Sequence, residues 1–531
     1  MIHNYVIAIG GTGARCLEAF VYAAAAGLTG HRPFNLLLID ADQNNGNGTK
    51  TNQLIGNYNE LHRLAQPSSP RRRRALAFRR HELSPPVVFQ SRFNAGQNSD
   101  TRWKNPNNPD LTFGQLIQYG DQTPEMRAFL DLFYPPGDLN MPLREGYIGK
   151  PNVGSVALKL SLQGSIVQGS SIYNFLQRLN ADLQGGEARV FVFGSVFGGT
   201  GAAGLPTIPS LISNLPENGV VARDNRERLR YGCAMIGPYF SFPRDENDLA
   251  VGPGTDSARH AIATQAALLH YAQTPPNYQH VYFVGAPARP QTNRRNVRGG
   301  EEQTNAPHYA ELIAALAAID FFAIKEGGIE IDSRELHYAD TLLKQREEDR
   351  GIDWDTLPVS PFRAHERADI KASLLAFTTF AYLYEHLLHE RFVNYRDYRQ
   401  ANWYVHNFGQ LSLDDQKDQL GHLYRFVGSY TKWLREVGET CQPTGDEPRL
   451  FNWNALGDGH NDAARRLNLG SLLATSGANP KYMSVGWDRI NDILNNITLA
   501  EPLPDSAAGL LIYLLYEASA QYCRENYLLR S

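Results

Sequence analysis

The pentapeptide Gly-Gly-Thr-Gly-Ala occurs twice in the chain, as Gly10, Gly11, Thr12, Gly13 and Ala14 and again as Gly198, Gly199, Thr200, Gly201 and Ala202. Each copy follows a short apolar run and precedes a helical pattern. Glycine permits a tight turn and close backbone approach, and the helix that follows offers unpaired N–H groups and partial positive charge to an anion. Either loop alone is equally well read as a packing turn. Two loops at the carboxyl ends of strands in one parallel sheet can face a single crevice and grip one polyphosphate. Neither is a Walker A loop, because the GK[ST] ending is missing, and the first does not follow the G-x-G-x-x-G spacing.

The elements that must position these loops are legible in the hydrophobic pattern. Runs rich in Val, Ile, Phe and Tyr at 5–9, 35–39, 189–193, 231–236 and 280–284 predict buried strands. Helical patterns at 14–26, 156–183, 201–215, 257–271 and 308–324 alternate with them, so the fold class is α/β, a Rossmann-type parallel sheet flanked by helices. Residues 43–147 are rich in Asn, Pro and Arg and read as a loop-rich insertion into a nucleotide-binding domain of residues 1–325. The arginines at 71–74, with Arg79 and Arg80, could contact phosphate or an acidic partner but read better as a solvated basic face. Residues 326–364 read as a linker, and 365–531, with helical patterns at 368–394, 414–437, 487–497 and 507–529, as a separate, mainly helical C-terminal domain.

Composition narrows the function classes. A formal net charge of −4 gives no overall field for nucleic acid or anionic lipid, so nucleic-acid binding is not expected. Four scattered cysteines (Cys16, Cys233, Cys441 and Cys523) form neither a CxxC pair nor a disulfide framework, which fits a reducing cytoplasm. No apolar stretch approaches the ~20 residues of a membrane span.

The second loop resembles the tubulin/FtsZ signature, GGGTGTGAAP in FtsZ, against which this chain reads Phe197, Gly198, Gly199, Thr200, Gly201, Ala202, Ala203, Gly204, Leu205 and Pro206. Phe197 replaces the first glycine, and Ala202 the hydroxyl residue. Further motifs follow in the order of that family. The amino-terminal glycine loop ends in Arg15, where FtsZ has Asn; a guanidinium there suits phosphate. Asp40, Ala41, Asp42, Gln43 and Asn44 resemble N-T-D-x-Q, which in the family lies by the phosphates and the metal, so the resemblance implies Mg²⁺ near Asp42. Asp40 alone would equally suit the ribose of a dinucleotide. Gly149, Lys150, Pro151, Asn152, Val153 and Gly154 resemble the loop G-x-N-P-E-I-G that senses the terminal phosphate. Pro238 and Tyr239 resemble the ribose loop K-P-F, with Asp245 or Glu246 close enough in sequence to reach a sugar hydroxyl. Asn305, His308 and Tyr309 stand at the start of the central helix, where the family holds the base; an aromatic there equally serves packing.

The resemblance covers residues 1–325 and implies a GTP- or GDP-binding protein that self-associates through its nucleotide, with the helical region as a surface for a protein partner. Two family features are absent. Val284 is followed by Gly285, Ala286 and Pro287 rather than by the Asn that helps read guanine. The loop after the central helix, which in FtsZ carries N-x-D-x-x-D and completes GTP hydrolysis on a neighbour, reads here from Ala323 to Asp332 with only Glu330 and Asp332 as candidate catalytic acids. GTPase activity is therefore left open beside two alternatives, a nucleotide-binding scaffold without turnover and an NAD- or FAD-binding oxidoreductase.

Overall fold

The structure is a computed structural model that describes residues 1–66, 88–94, 100–107, 110–147, 150–213, 223–241, 257–285, 289–290, 300–340, 364–388, 400–408, 413–440, 487–499 and 503–525. Nine strands lie among these residues: β1 (Ile2–Ile9), β2 (Phe34–Ile39), β3 (Phe93–Asn94), β4 (Glu187–Ser195), β5 (Leu229–Ile236), β6 (Phe240–Ser241), β7 (His280–Gly285), β8 (Arg289–Pro290) and β9 (Glu335–Asp340). Seven form one sheet in the order β3-β2-β1-β4-β5-β7-β9, and every pairing in it is parallel. The five predicted strands are all present, with β3 and β9 added at the two edges.

Strand residues alternate between two cores, as the period of two requires. Val6, Ala8, Phe191, Phe193, Ala234 and Ile236 face one side. Tyr5, Ile7, Val190, Val192, Cys233 and Met235 face the other. On the first side lie α1 (Gly10–Ala25), α2 (Gly46–Ala65) and the central helix α7 (Tyr309–Ala323). On the second lie α3 (Pro151–Gly164), α4 (Ser171–Gly185), α5 (Gly199–Ser213) and α6 (Ser257–Gln273). The pattern expected as one helix over 156–183 is thus two, and the chain turns between them through Gly169, whose φ of +88° suits glycine.

Three further expectations differ from the structure. The region read as an insertion contains α2, a 20-residue helix capped by the Asn45 side chain, which accepts from the Asn47 N–H. Its apolar residues Leu54, Ile55, Tyr58 and Leu61 are buried at helical spacing among many polar neighbours, too sparse a stripe to stand out in an Asn-rich stretch. Within the expected linker, residues 335–340 add the seventh strand. The C-terminal helices α8 (Ala364–Tyr382), α9 (Lys417–Thr440), α10 (Trp487–Asn496) and α11 (Ala507–Cys523) share the core of the sheet's first face rather than building their own. Tyr22 of α1 meets Phe426, Tyr430 and Trp433 of α9 at ring-centroid distances of 5.6, 5.5 and 5.0 Å. No helix among the described residues is long and apolar enough to cross a membrane.

Helix α5 contains Pro206 and Pro209, which lack the N–H groups that would serve the carbonyls four residues back, Ala202 and Leu205. Two tyrosines supply the missing donors. The hydroxyls of Tyr271 and Tyr278 donate to the Ala202 and Leu205 carbonyl oxygens, each at 2.5 Å. The helix behind the second glycine loop therefore stays intact.

Candidate functional site

In the strand order, connections leaving β1 run towards β3 and those leaving β4 run towards β9, so the direction of winding reverses between these neighbours. A crevice opens at the carboxyl ends of strands where the order reverses. Both glycine pentapeptides stand there, because β1 runs directly into α1 at Gly10, and β4 leads through Val196 to Gly198 into α5 at Gly199.

The two loops lie side by side. Gly10 has φ +69°, and a Cβ on it would lie 3.4 Å from Thr200 Cβ and 3.7 Å from the Gly201 nitrogen. Other glycines serve packing. A Cβ on Gly13 would sit 2.9 Å from the Phe193 carbonyl oxygen, and one on Gly201 2.7 Å from that of Ser195, so each helix lies hard against a strand. Gly11, Gly198 and Thr200 keep partial exposure, whereas Thr12, Gly13, Ala14, Gly199, Gly201 and Ala202 are buried. The Ala14 carbonyl accepts from Thr51 of α2 at 3.0 Å.

Helix α1 has no side-chain cap and no acidic residue in its first turn, and α3, which starts beside the second loop, also lacks a side-chain cap. The first turn of α5 is likewise free of acids. Four other helices carry side-chain caps: Asn45 on α2, Ser170 on α4, His308 with Glu311 on α7, and Ser506 on α11. Uncapped N–H groups gathered in one place suit an anion.

The 40–42 loop and the segment before α3 close in on the second glycine loop. Gly146, with φ +72°, would place a Cβ 3.7 Å from Thr200 Oγ1 and 3.9 Å from Asp42 Cβ. Asp42 is buried; one carboxylate oxygen accepts the Gly300 N–H at 2.7 Å and the other the Asn44 N–H at 3.1 Å. Burial and the neighbouring Asp42 carboxylate push the Asp40 carboxyl up to about 8, against the stabilising N–H groups of Asp42 and Ala41. An acidic pair held this way favours a proton or a cation beside it. Lys150 pairs with Asp138, and Asn152 in the first turn of α3 is exposed.

Arg15 turns inward. Its Nε donates to Glu311 Oε1 at 2.5 Å, one Nη donates to the Tyr239 hydroxyl and reaches Thr12 Oγ1 at 3.4 Å, and its side chain is 4% exposed. Burial works against its charge, but Tyr239 and Glu311 outweigh that and hold it charged. Tyr239 in turn donates to Glu311 at 2.5 Å, while the other Glu311 oxygen accepts the His308 N–H. The guanidinium expected at phosphate thus fastens α1 to the central helix, and Tyr239 is part of that network. Pro238 beside it is half-buried. Tyr309 is buried, with its N–H donating to Thr440 of α9 at 3.1 Å.

A feature missed in the sequence is a ladder along one rim. Asp42 meets Gly300, the Asn45 amide donates to Gln303 at 2.6 Å, and the Asn47 amide donates to Asn305 at 3.2 Å. The same two Asn amides stand 3.3 and 3.2 Å from a Cβ placed on Gly11. Asn305, expected at the base, is therefore joined to the first glycine loop through Asn47. The only signal was the Asn-rich run 44–47, which reads equally as a turn.

Gly149, Asp245, Glu246 and the 71–74 arginines lie outside the described residues. Glu330 and Asp332 are exposed in the turn before β9, at the amino-terminal edge of the sheet. There Ile329 and Ile331 accept from Arg230 and Gln279 at the starts of β5 and β7. The length of the eight-residue β5, about 25 Å at about 3.3 Å per residue, separates them from the glycine loops. No protein-family model matches the chain, and no curated protein is significantly similar to it.

Proposed function

We propose that the crevice at the β1/β4 reversal binds the polyphosphate of a purine nucleotide, GTP or GDP with Mg²⁺, and that the chain is a cytoplasmic tubulin/FtsZ-like protein that self-associates head to tail. The carrying observation is that two identical glycine loops follow adjacent strands and lie so close that a Cβ on Gly10 would meet Thr200 at 3.4 Å. Uncapped helix starts supply N–H donors and Asp40 with Asp42 the oxygen ligands for a hard cation. A dinucleotide oxidoreductase needs only one such loop, so the doubled motif favours a polyphosphate.

Hydrolysis needs more. Glu330 and Asp332 stand too far from their own crevice to orient a water there, so any catalytic part they take is on the nucleotide of a second copy. A binding scaffold without turnover is the second reading, favoured by Phe197 and Ala202 in the second loop and by the unmatched N-x-D-x-x-D pattern. In either reading the helical region is the surface for a protein partner.

Titration of the nucleotide-free chain with fluorescent GTP and ATP analogues, with and without Mg²⁺, tests the proposal. Gly11→Trp, which fills the half-exposed side of the first loop, is expected to abolish binding while the melting curve of the free protein keeps its shape. Unchanged GTP affinity in that variant would sink the shared cradle. Sedimentation with GTP and Mg²⁺ tests assembly separately; a concentration-independent monomer ends the head-to-tail part.

A further inference from the structure

The amino-terminal edge of the sheet carries a second cluster that the nucleotide reading does not use. His280 opens β7, and Glu335 and His337 stand two apart on the edge strand β9, so their side chains share a face. The register pairs His280 with Glu335 and Tyr282 with His337, which brings all three to one spot. His280 Nδ1 lies 3.1 Å from His337 Nε2, and Glu335 Oε2 lies 3.7 Å from each of these nitrogens.

The two imidazole nitrogens share one hydrogen bond, but 3.7 Å is too long for the carboxylate to accept from either ring, so the pairing leaves the acid unexplained. The three donor atoms lie within 4.8 Å of one another. Zn–N and Zn–O bonds near 2.0–2.1 Å at tetrahedral angles separate ligand atoms by about 3.3 Å, within a few tenths of an ångström of all three spacings. The rings are held in place: His337 stacks on Tyr282 at a centroid distance of 4.4 Å, and His280 packs edge-on to Phe321 at 5.7 Å.

We infer that His280, Glu335 and His337 form a binding site for a divalent transition metal of the zinc class, with a fourth position open to solvent. Two imidazoles and one carboxylate are an N/O set for Zn²⁺, Co²⁺ or Ni²⁺ rather than for Mg²⁺ or Ca²⁺, which take oxygen. The site is therefore chemically distinct from the Mg²⁺ expected with a nucleotide, and it sits at the other end of the sheet. Glu335, whose side chain is 58% exposed, gives the metal an entry path. Arg189, on β4, is paired with Glu187 at 2.6 Å. A bound metal would tie β9 to β7 and so hold the turn that carries Glu330 and Asp332.

The test uses the full chain, stripped with chelator and free of nucleotide. Zn²⁺ is titrated by calorimetry against a competing chelator, and Co²⁺ by its visible spectrum. The expected result is one Zn²⁺ per chain, a tetrahedral Co²⁺ spectrum, and affinity lowered roughly tenfold or more in Glu335→Gln and in His337→Phe, which keeps the ring stacked on Tyr282. Metal-free variants that melt with the parent would show that the loss is not unfolding. Equal Zn²⁺ affinity in parent and variants, an octahedral Co²⁺ spectrum, or no Zn²⁺ bound by the parent would overturn the site.

Discussion

The two ends of the sheet solve opposite electrostatic problems. In a parallel sheet with returning helices, helix starts gather at the carboxyl ends of the strands and helix ends at the amino ends, so the first edge is locally positive and the second locally negative. At the first edge the start of α1 is left without a cap and glycine lets two loops meet. At the second edge the exposed ends are covered by cations: buried Arg189 donates to the carbonyls of Phe321, Ile324 and Lys325 at the end of α7 at 3.3, 2.5 and 2.9 Å. One end leaves its helix dipoles open to an anion, and the other closes them internally and gathers imidazoles beside the closure.

Among the described residues each end has one buried arginine, and replacing them separates support from binding. Arg15→Met strands the Glu311 carboxylate, which is 0% exposed, without its cation, and should cost about 3–5 kcal/mol in denaturant unfolding. Because Arg15 ties α1 to the central helix, it should also weaken nucleotide binding. Arg189→Met strands three carbonyls and Glu187 and should destabilise by a similar amount, yet leave the nucleotide affinity of the folded fraction unchanged. Equal losses of affinity in both variants would erase the distinction between the ends.

The glycines of the first loop divide in the same way. Gly13→Ala drives a methyl against the Phe193 and Ala8 backbones and should cost about 1–3 kcal/mol of stability. Gly11→Ala meets side-chain amides of Asn45 and Asn47 at 3.3 and 3.2 Å rather than backbone, so it should cost less stability than Gly13→Ala and lower nucleotide affinity more. A reversed pattern would mean that Gly11 is a packing residue and Gly13 the one nearest the ligand.

Much of the first end was legible in the sequence, because a repeated pentapeptide after a strand pattern has few other uses, and five strands rich in Val, Ile, Phe and Tyr announce a buried parallel sheet. What escaped was anything set by distant pairing. Nothing local marks Glu311 as the partner of Arg15, 296 positions earlier, or aligns 42–47 with 300–305 in register. The helical region read as separate because helical patterning does not say whose core a helix enters, whether amphipathic like α9 or buried almost all round like α11. The Glu-x-His of β9 lay in a stretch without strand periodicity, and His280 became its neighbour only through the β7–β9 register.

Smaller effects probe the helix behind the second loop. Tyr278→Phe leaves the Leu205 carbonyl, orphaned by Pro209, without a donor in a buried place, and should cost about 1–2 kcal/mol in chemical unfolding. Restoring the helical N–H with Pro209→Ala in the same chain should recover most of that loss. Failure of the second change to compensate the first would mean that the tyrosine acts through packing and not through its hydroxyl.

The smallest shift in melting temperature per pH unit, on the order of a degree, is expected in the pH dependence of the open end. The Asp40 carboxyl is raised from its ordinary acidic range to about 8, chiefly by burial and then by Asp42. Between about pH 4 and pH 8 the unfolded chain has released this proton while the folded chain retains it, so the stability the proton lends is full below the unfolded value and drains away as pH rises through the folded one. Asp40→Asn keeps a neutral amide at all pH values. In metal-free, nucleotide-free buffer its melting temperature relative to the parent should therefore rise between pH 5 and pH 8.5, by on the order of a few degrees for a chain of this size. Mg²⁺ with nucleotide should reverse the order by giving the ionised carboxyl a counter-charge. A difference between parent and variant that stays constant across that pH range would show that Asp40 is not held protonated at the open end, and with it would go the case for a cation beside the glycine loops.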